Sequence, residues 1–158
     1  EAWRVSCAVN VCRPRARGMI GLRSADPLAP PLIRHALLGD EADVRTLVAG
    51  CRKVRDVFAT EPLRAMVTGE HEPGPGVQDD AQWDAALRER SFPMYHPVGT
   101  CRMGSDDEAV VDPTLRVRGV SGLRVVDASI MPLLVAANTN AAAVMIGERA
   151  AELILRGA

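Results

Sequence analysis

Apolar residues recur at the period of an α-helix in three segments of the chain. In Asp40–Thr60 they follow one another at spacings of three and four residues, so that they form one stripe along a helix. The aspartate that begins this segment is a good N-cap, because its carboxylate can accept a hydrogen bond from the free N–H groups there. The same period predicts helices over Ala81–Arg90, where Trp83 and Leu87 share one side, and over Ala141–Leu155.

Short runs of β-branched and other apolar residues predict strands elsewhere in the chain. Two such runs, Val5–Arg13 and Gly18–Arg23, precede the first helix, and three more lie within 109–126. The last of these, LRVV, has the compact apolar composition that is typical of a buried parallel strand. Segments rich in Gly, Pro and polar residues predict loops, and these are 24–31, 68–80, 92–104 and 129–140.

Composition and charge exclude several functions. With 47% apolar and 25% charged residues, the 158-residue chain has the composition of an ordinary globular protein. Its formal net charge is −1 and it has no basic stripe, so nucleic acid is not an expected partner. No apolar run reaches the ~18 residues that a membrane span needs, and we therefore expect none.

The cysteines and histidines do not predict a metal site. The four cysteines form no C-x-x-C pair, and the three histidines lie too far apart in sequence to share a helix face. Free thiols in a reducing compartment are therefore the favoured interpretation, and no signal peptide is visible. On these grounds we expect a cytoplasmic protein without a bound metal.

His96 is the histidine most suited to acid–base chemistry. It precedes Pro97 in a segment rich in Gly and Pro, and a residue before proline is restricted to extended backbone. A histidine held in this way can act as a general base, because imidazole gains and loses a proton near neutral pH. The alternative interpretation is a surface or hydrogen-bonded core histidine, and the sequence surroundings of His35 and His71 favour exposed positions for those two residues.

The tripeptide Asn138-Thr139-Asn140 lies at the predicted start of the last helix. Asn and Thr are common N-caps, and a plain cap is the simplest interpretation. One cap residue does not account for three polar residues, however. Because the free N–H groups of a helix N-terminus can also bind an anion, the tripeptide is a second candidate site.

Three long motifs occur in order along the chain. The first is HPVGTCRMG at His96–Gly104, the second includes LRVVDASIMP at Leu123–Pro132, and the third begins with NTNA at Asn138–Ala141. In this order and spacing they resemble signatures of the glucose–methanol–choline (GMC) flavin oxidoreductases, most closely the choline and alcohol dehydrogenase branch. An upstream segment, Arg13–Pro27, also resembles the substrate domain of this family.

The resemblance implies an α+β fold made of parts of two domains. Residues 1–107 would belong to a substrate-binding domain with an antiparallel sheet and helices. Residues 108–158 would return to an FAD-binding, Rossmann-like domain, which their terminal strand and helix complete. The family binds FAD at a G-x-G-x-x-G turn, and this sequence has none, since Gly74-Pro75-Gly76 neither follows a predicted strand nor starts a helix. We therefore expect the chain to be the C-terminal portion of a larger enzyme, without its N-terminal FAD-binding portion.

The resemblance also implies roles for particular residues. His96 matches the catalytic histidine, which takes the hydroxyl proton of an alcohol or holds the alkoxide while hydride moves to flavin N5. Asn138 matches a second catalytic position, where an amide can orient the substrate oxygen but cannot act as a base. The implied cofactor is FAD, and the positive end of the last helix suits the charge that hydride transfer leaves on the flavin. The implied cofactor contacts are Asp127, Ala128, Asn140 and the backbone of Thr139.

Two classes of function remain open from the sequence. The first is an FAD-dependent oxidoreductase that acts on a small-molecule alcohol, as an oxidase or as a dehydrogenase. The second is a cofactor-less fragment or interaction module, which the missing glycine motif favours for the isolated chain. Visible flavin absorbance of the purified chain distinguishes the two. Lyase chemistry of the same family is a minor alternative, and a thiol–imidazole pair of Cys101 and His96 is weaker still, because nothing orients the base.

Overall fold

The computed structural model describes residues 3–157. Within that range the chain has an α+β architecture with four α-helices, one two-stranded antiparallel sheet and one 3₁₀ turn, and none of these helices is both long and apolar enough to cross a membrane. Residues 3–18 and His35–Met94 form the first unit, and Met19–Arg34 and residues 95–157 form the second unit. The elements in chain order are β1 (Met19–Gly21), β2 (Leu32–Arg34), α1 (Glu41–Phe58), α2 (Leu63–Met66), α3 (Asp80–Arg90), the 3₁₀ turn (Ala128–Ile130) and α4 (Asn140–Leu155).

Helices α1 and α3 form the core of the first unit. The N-cap Asp40 accepts a hydrogen bond from the backbone N–H of Ala42 at 2.7 Å, which confirms the predicted start of α1. The predicted apolar stripe of α1 packs with Trp83, which is only 2% exposed, and with Leu87 on the next turn of α3. The buried cluster of this unit contains Leu38, Val44, Leu47, Val48, Trp83 and Leu87.

The strand predicted over Val5–Arg13 is wrong, because this segment lies along α1 and not beside another strand. Val9 packs against the buried cluster, and a Cβ on Gly50 would come within 2.6 Å of its Cγ1, so a side chain at position 50 would force Val9 to shift. Further along, the two backbone N–H groups at 15–16 donate to the Asp43 carboxylate at 2.9 Å. The backbone that follows this segment therefore bonds to a side chain of α1 and not to a neighbouring strand.

Arg55 of α1 holds the loop that separates α2 from α3. Its guanidinium donates to the Glu70 carboxylate at 2.9–3.2 Å, to the Gly74 carbonyl at 3.0 Å and to the Val77 carbonyl. The same group lies 4.4 Å from the centre of the Trp83 ring. The loop predicted over 68–80 is confirmed as largely irregular chain. The side chain of Arg55 fastens it to α1. The sequence pattern does not predict α2, which is a single four-residue turn.

Residues 19–34 of the second unit form an antiparallel hairpin. β1 pairs with β2 so that Ile20 lies opposite Ile33 in the ladder. β1 confirms the centre of the strand predicted over Gly18–Arg23, and the predicted connector separates it from β2. The sequence pattern does not indicate β2 itself.

The three strands predicted within 109–126 are wrong as continuous strands. Leu115, Gly119 and Gly122 have positive φ angles, which interrupt an extended ladder. The last run is also not buried, since Leu123 is 51% exposed. In the described part of the chain this region has only single bridges, and they join Met103 with Val111, Val111 with Val117, and Arg116 with Arg124.

Helix α4 supplies much of the core of the second unit. It begins at Asn140, one residue before the predicted start, and buries Ile146, Ala150 and Leu153. The 3₁₀ turn packs against it, in a region that the sequence predicts largely as a loop. The buried cluster of this unit contains Val111, Leu115, Ile130, Met131, Ile146, Ala150 and Leu153.

Candidate active site

His96 lies at the start of a loop that is fastened to the chain around the 3₁₀ turn. The backbone N–H of Cys101 donates to the Ser129 carbonyl at 3.0 Å. The backbone N–H of Met103 donates to the Ile130 carbonyl at 2.7 Å. These bonds hold the first motif against the second without the use of a polar side chain.

Gly99 allows the loop to pass close to the second motif. Its φ is +90°, a conformation that glycine adopts readily because it has no Cβ. A Cβ there would also lie 3.2 Å from the Met131 carbonyl oxygen. The path of the backbone after His96 therefore requires a glycine at position 99.

Asp127 begins the 3₁₀ turn, and its side chain is engaged locally. The carboxylate accepts a hydrogen bond from the Ser129 N–H at 2.8 Å. Hydrogen bonds from the Ser129 side chain and backbone hold the pKa of the Asp127 carboxyl below its ordinary value. The contact of Asp127 and Ala128 with a cofactor stays a prediction.

Thr139 is the N-cap residue of α4, but its hydroxyl does not cap the helix. Its backbone is helical, with φ of −78° and ψ of −12°, whereas a capping residue typically has extended backbone. The Oγ1 atom of Thr139 lies 3.0 Å from Nδ1 of the partly buried His96, which is 43 residues away in the chain. This hydrogen bond joins the first motif to the third.

Asn138 and Asn140 lie on either side of Thr139, and both are exposed. In the described part of the chain no side chain caps the first turn of α4. The start of α4 therefore presents amide groups and backbone N–H groups beside the residue that contacts His96.

The side-chain contact of Thr139 is the one feature of this site that sequence reasoning misses. The sequence predicts a role only for the backbone of Thr139, and a contact between residues this far apart has no local signal. Thr139 and His96 are in direct contact, and the predicted residues Asn138 and Asn140 are chain neighbours of Thr139.

This arrangement can accept and release a proton at one imidazole nitrogen. Thr139 engages Nδ1 of His96, and within residues 3–157 no hydrogen bond to Nε2 is formed. The neighbouring amides can donate and accept hydrogen bonds but cannot act as bases near neutral pH. His96 is therefore the group among these residues that can act as a base.

Comparison with known proteins identifies the family of the chain. A family model described as GMC oxidoreductase matches residues 14–147. The chain is 50% identical over 143 residues to an alcohol dehydrogenase (acceptor) of Pseudomonas putida, with 90% of this chain and 26% of that protein covered. It is 46% identical over 143 residues to an oxygen-dependent choline dehydrogenase of Rhizobium rhizogenes, with 89% and 26% covered.

The fold of the chain is also similar to that of a solved oxidoreductase structure. An FAD-dependent oxidoreductase from Chaetomium thermophilum superposes with a TM-score of 0.87 at 30% identity, which covers 92% of this chain and 26% of that one. The chain spans about a quarter of the length of the curated relatives named above. The family match includes the three motifs and the whole candidate active site. The chain therefore belongs to the GMC oxidoreductase family, in which its relatives include alcohol and choline dehydrogenases.

Proposed function

We propose that the chain is the C-terminal part of an FAD-dependent enzyme that oxidises a small-molecule alcohol. The observation that supports this most is the 3.0 Å contact between His96 Nδ1 and Thr139 Oγ1. It joins the proposed catalytic base to the helix start that we assign to flavin binding. The named dehydrogenase relatives and the FAD-dependent structural neighbour support the same assignment.

In this proposal the two ends of the chain belong to different domains of a complete flavoenzyme. Residues 1–107 contribute to the substrate-binding domain. Residues 108–158 return to a Rossmann-like FAD-binding domain, whose parallel strands come from an N-terminal portion of the protein. Exposed apolar side chains support this assignment, because Leu123 is 51% and Val126 is 36% exposed and neighbouring strands would cover them.

The start of α4 fits the pyrimidine edge of a flavin. In the described range no side chain caps the first turn, so its N–H groups are available as donors. Asn138 and Asn140 add amide groups, which both donate and accept. The oxygens and nitrogens of a flavin edge are partners for such groups, and the positive end of the helix dipole favours negative charge there. We assign Asn140 and the backbone of Thr139 to this edge, with Asp127 and Ala128 as further cofactor contacts.

His96 moves the proton in the proposed reaction. FAD, when bound, supplies the acceptor for the hydride that leaves the carbinol carbon. Nε2 of His96 takes the proton of the substrate hydroxyl, so that the oxygen becomes more electron-rich as the hydride departs. Asn138 donates a hydrogen bond to the same oxygen and orients it. Nδ1 of His96 keeps its hydrogen bond to Thr139 throughout.

The test compares His96→Ala with His35→Ala in the complete flavoenzyme. Because loss of a general base typically lowers turnover about 10²- to 10⁴-fold, we expect a decrease of that size for His96→Ala, with unchanged flavin content. His35 is an exposed histidine of the first unit, so His35→Ala should keep wild-type turnover. Wild-type turnover of His96→Ala would contradict the base role, and absence of flavin from the complete protein would contradict the cofactor.

A further inference from the structure

The hydroxyl of Thr139 is directed at His96 instead of at its own helix. An N-cap side chain usually accepts a hydrogen bond from an N–H two or three residues further on, as Asp40 does for α1 and Asp79 does for α3. Thr139 makes no such bond, and its Oγ1 lies 3.0 Å from His96 Nδ1. Capping of α4 therefore does not account for this hydroxyl.

A hydroxyl beside Nδ1 suits a base that works at Nε2, because it can accept a hydrogen bond from Nδ1–H. In the neutral ring that has a lone pair on Nε2, the proton lies on Nδ1 and can be donated to Thr139 Oγ1. When Nε2 takes a further proton, Nδ1–H still donates to the same oxygen. One hydrogen bond to Thr139 thus serves both protonation states, and the ring does not have to turn during the reaction.

The hydroxyl is presented from a fixed position. Threonine is branched at Cβ, which limits its χ1 rotamers. The helix that follows Thr139 is anchored in the core by Ile146 and Ala150, which are 5% and 2% exposed.

The backbone of His96 does not by itself decide which ring nitrogen faces a substrate. Pro97 restricts the backbone of His96 to extended conformations. The outer torsion of histidine is nonetheless soft and roughly two-fold, so both ring orientations are open to it. A single hydrogen bond to Nδ1 is enough to select one of them.

We propose that Thr139 is a positioning residue, which holds the His96 ring with Nδ1 at its own hydroxyl and with Nε2 open to the substrate hydroxyl. This inference rests on the proposed base role of His96. It adds a side-chain function to a residue for which the sequence implies only a backbone contact with the cofactor.

The experiment compares Thr139→Val with Thr139→Ser in the complete flavoenzyme. Valine keeps the branched shape and removes the hydroxyl, whereas serine keeps the hydroxyl and removes the methyl group. Because the variant loses one ordinary hydrogen bond to the imidazole, we expect kcat of Thr139→Val to fall by about 10-fold, with KM nearly unchanged. Thr139→Ser should recover most of the wild-type kcat.

The pH profile separates positioning from packing. Removal of the acceptor at Nδ1 destabilises the protonated ring, so the acid limb of kcat/KM should move to lower pH in Thr139→Val and stay in place in Thr139→Ser. A wild-type kcat and pH profile for Thr139→Val would overturn the proposal. Equal impairment of the serine and valine variants would also overturn it, because retention of the hydroxyl would then not restore activity.

A double variant tests whether Thr139 acts through His96. In the His96→Ala background, Thr139→Val should have no further effect on kcat, so that the two effects are not additive. An undiminished valine effect in that background would assign Thr139 to another task and overturn the positioning role. Normal turnover of His96→Ala alone is a different result, which overturns the base role and with it the positioning role.

Discussion

In the first unit charged side chains of α1 fasten neighbouring segments of the chain, whereas in the second unit backbone hydrogen bonds fasten the loop that contains His96. In the first unit, the Asp43 carboxylate accepts two backbone N–H groups at 2.9 Å, and Arg55 donates to the carbonyls of Gly74 and Val77. In the second unit, the loop after His96 is fixed to the 3₁₀ turn by N–H to carbonyl bonds.

The helix starts show the same difference. Asp79 forms a capping box with Gln82 at the start of α3, and Asp40 caps α1. Thr139 precedes α4 with helical and not extended backbone, and its hydroxyl contacts His96 instead. A polar side chain at a helix start that does not bond to its own helix is therefore free to serve a site elsewhere in the fold.

The largest effect on stability should follow the loss of Arg55. We expect Arg55→Ala to lower the free energy of unfolding by about 3 kcal/mol, because two carbonyls and the Glu70 carboxylate lose their donor. Arg45→Ala is the matched control, since its ion pair with Glu41 spans 3.4 Å and joins side chains that are 71% and 91% exposed. That change should cost about 0.5 kcal/mol or less. Urea unfolding measures both, and equal costs would mean that the contacts of Arg55 do not hold the first unit.

The second largest loss of stability should follow the substitution of Asp43. Its carboxylate is 5% exposed and is the acceptor for the N–H groups at 15–16, so Asp43→Ala leaves these donors unpaired. We expect a loss of about 2 kcal/mol in the free energy of unfolding. Asp56→Ala removes an exposed aspartate of the same helix and should have little effect. Increased hydrogen exchange confined to 15–16 in the first variant would show the cause directly, and unchanged exchange there would argue against it.

The helix starts should differ in the same unfolding experiment. Asp40→Ala removes a capping bond of 2.7 Å and should cost about 1 kcal/mol. Thr139→Val removes no capping bond, so it should leave the free energy of unfolding nearly unchanged while it lowers kcat. If Thr139→Val were as destabilising as Asp40→Ala, the contrast between the two helix starts would not hold.

The smallest effect should be the change in stability at acid pH that comes from the Asp127 carboxyl. The Ser129 hydrogen bonds lower the pKa of this carboxyl in the folded protein. They therefore stabilise the fold at pH values above the ordinary carboxyl pKa of about 4. This stabilisation is lost as the pH falls through the lowered pKa. A carboxyl-carbon NMR titration should give a midpoint below that ordinary value. Ser129→Ala should move the midpoint upward, and a midpoint at or above the ordinary value in the wild type would contradict the assignment.

Sequence patterns predict the parts of the fold that depend on local spacing. The stripe of α1 and the pair Trp83 and Leu87 of α3 are local features, and both helices lie where the period predicts them. Strands depend on neighbours that the pattern does not contain. The segment Val5–Arg13 has strand-like composition but pairs with α1, and the LRVV run gains only one bridge in the described part of the chain.

In the candidate site, too, the sequence predicts the local features and not the contacts between distant residues. The order of the three motifs is enough to indicate the family and to single out His96, because each motif is a continuous stretch of sequence. The hydrogen bond between His96 and Thr139 links two motifs that are 43 residues apart, and it depends on how the second unit packs. No spacing rule contains that information.

The role of His96 is tested best by a crystal structure of the complete flavoenzyme with an unreactive alcohol analogue bound. Our account predicts that the hydroxyl of the analogue lies within hydrogen-bond distance of His96 Nε2, about 2.6–3.2 Å, with Nδ1 still bonded to Thr139. It also predicts that the first turn of α4 contacts the flavin. An analogue hydroxyl that is bound by other residues, with no contact to His96, would contradict the account.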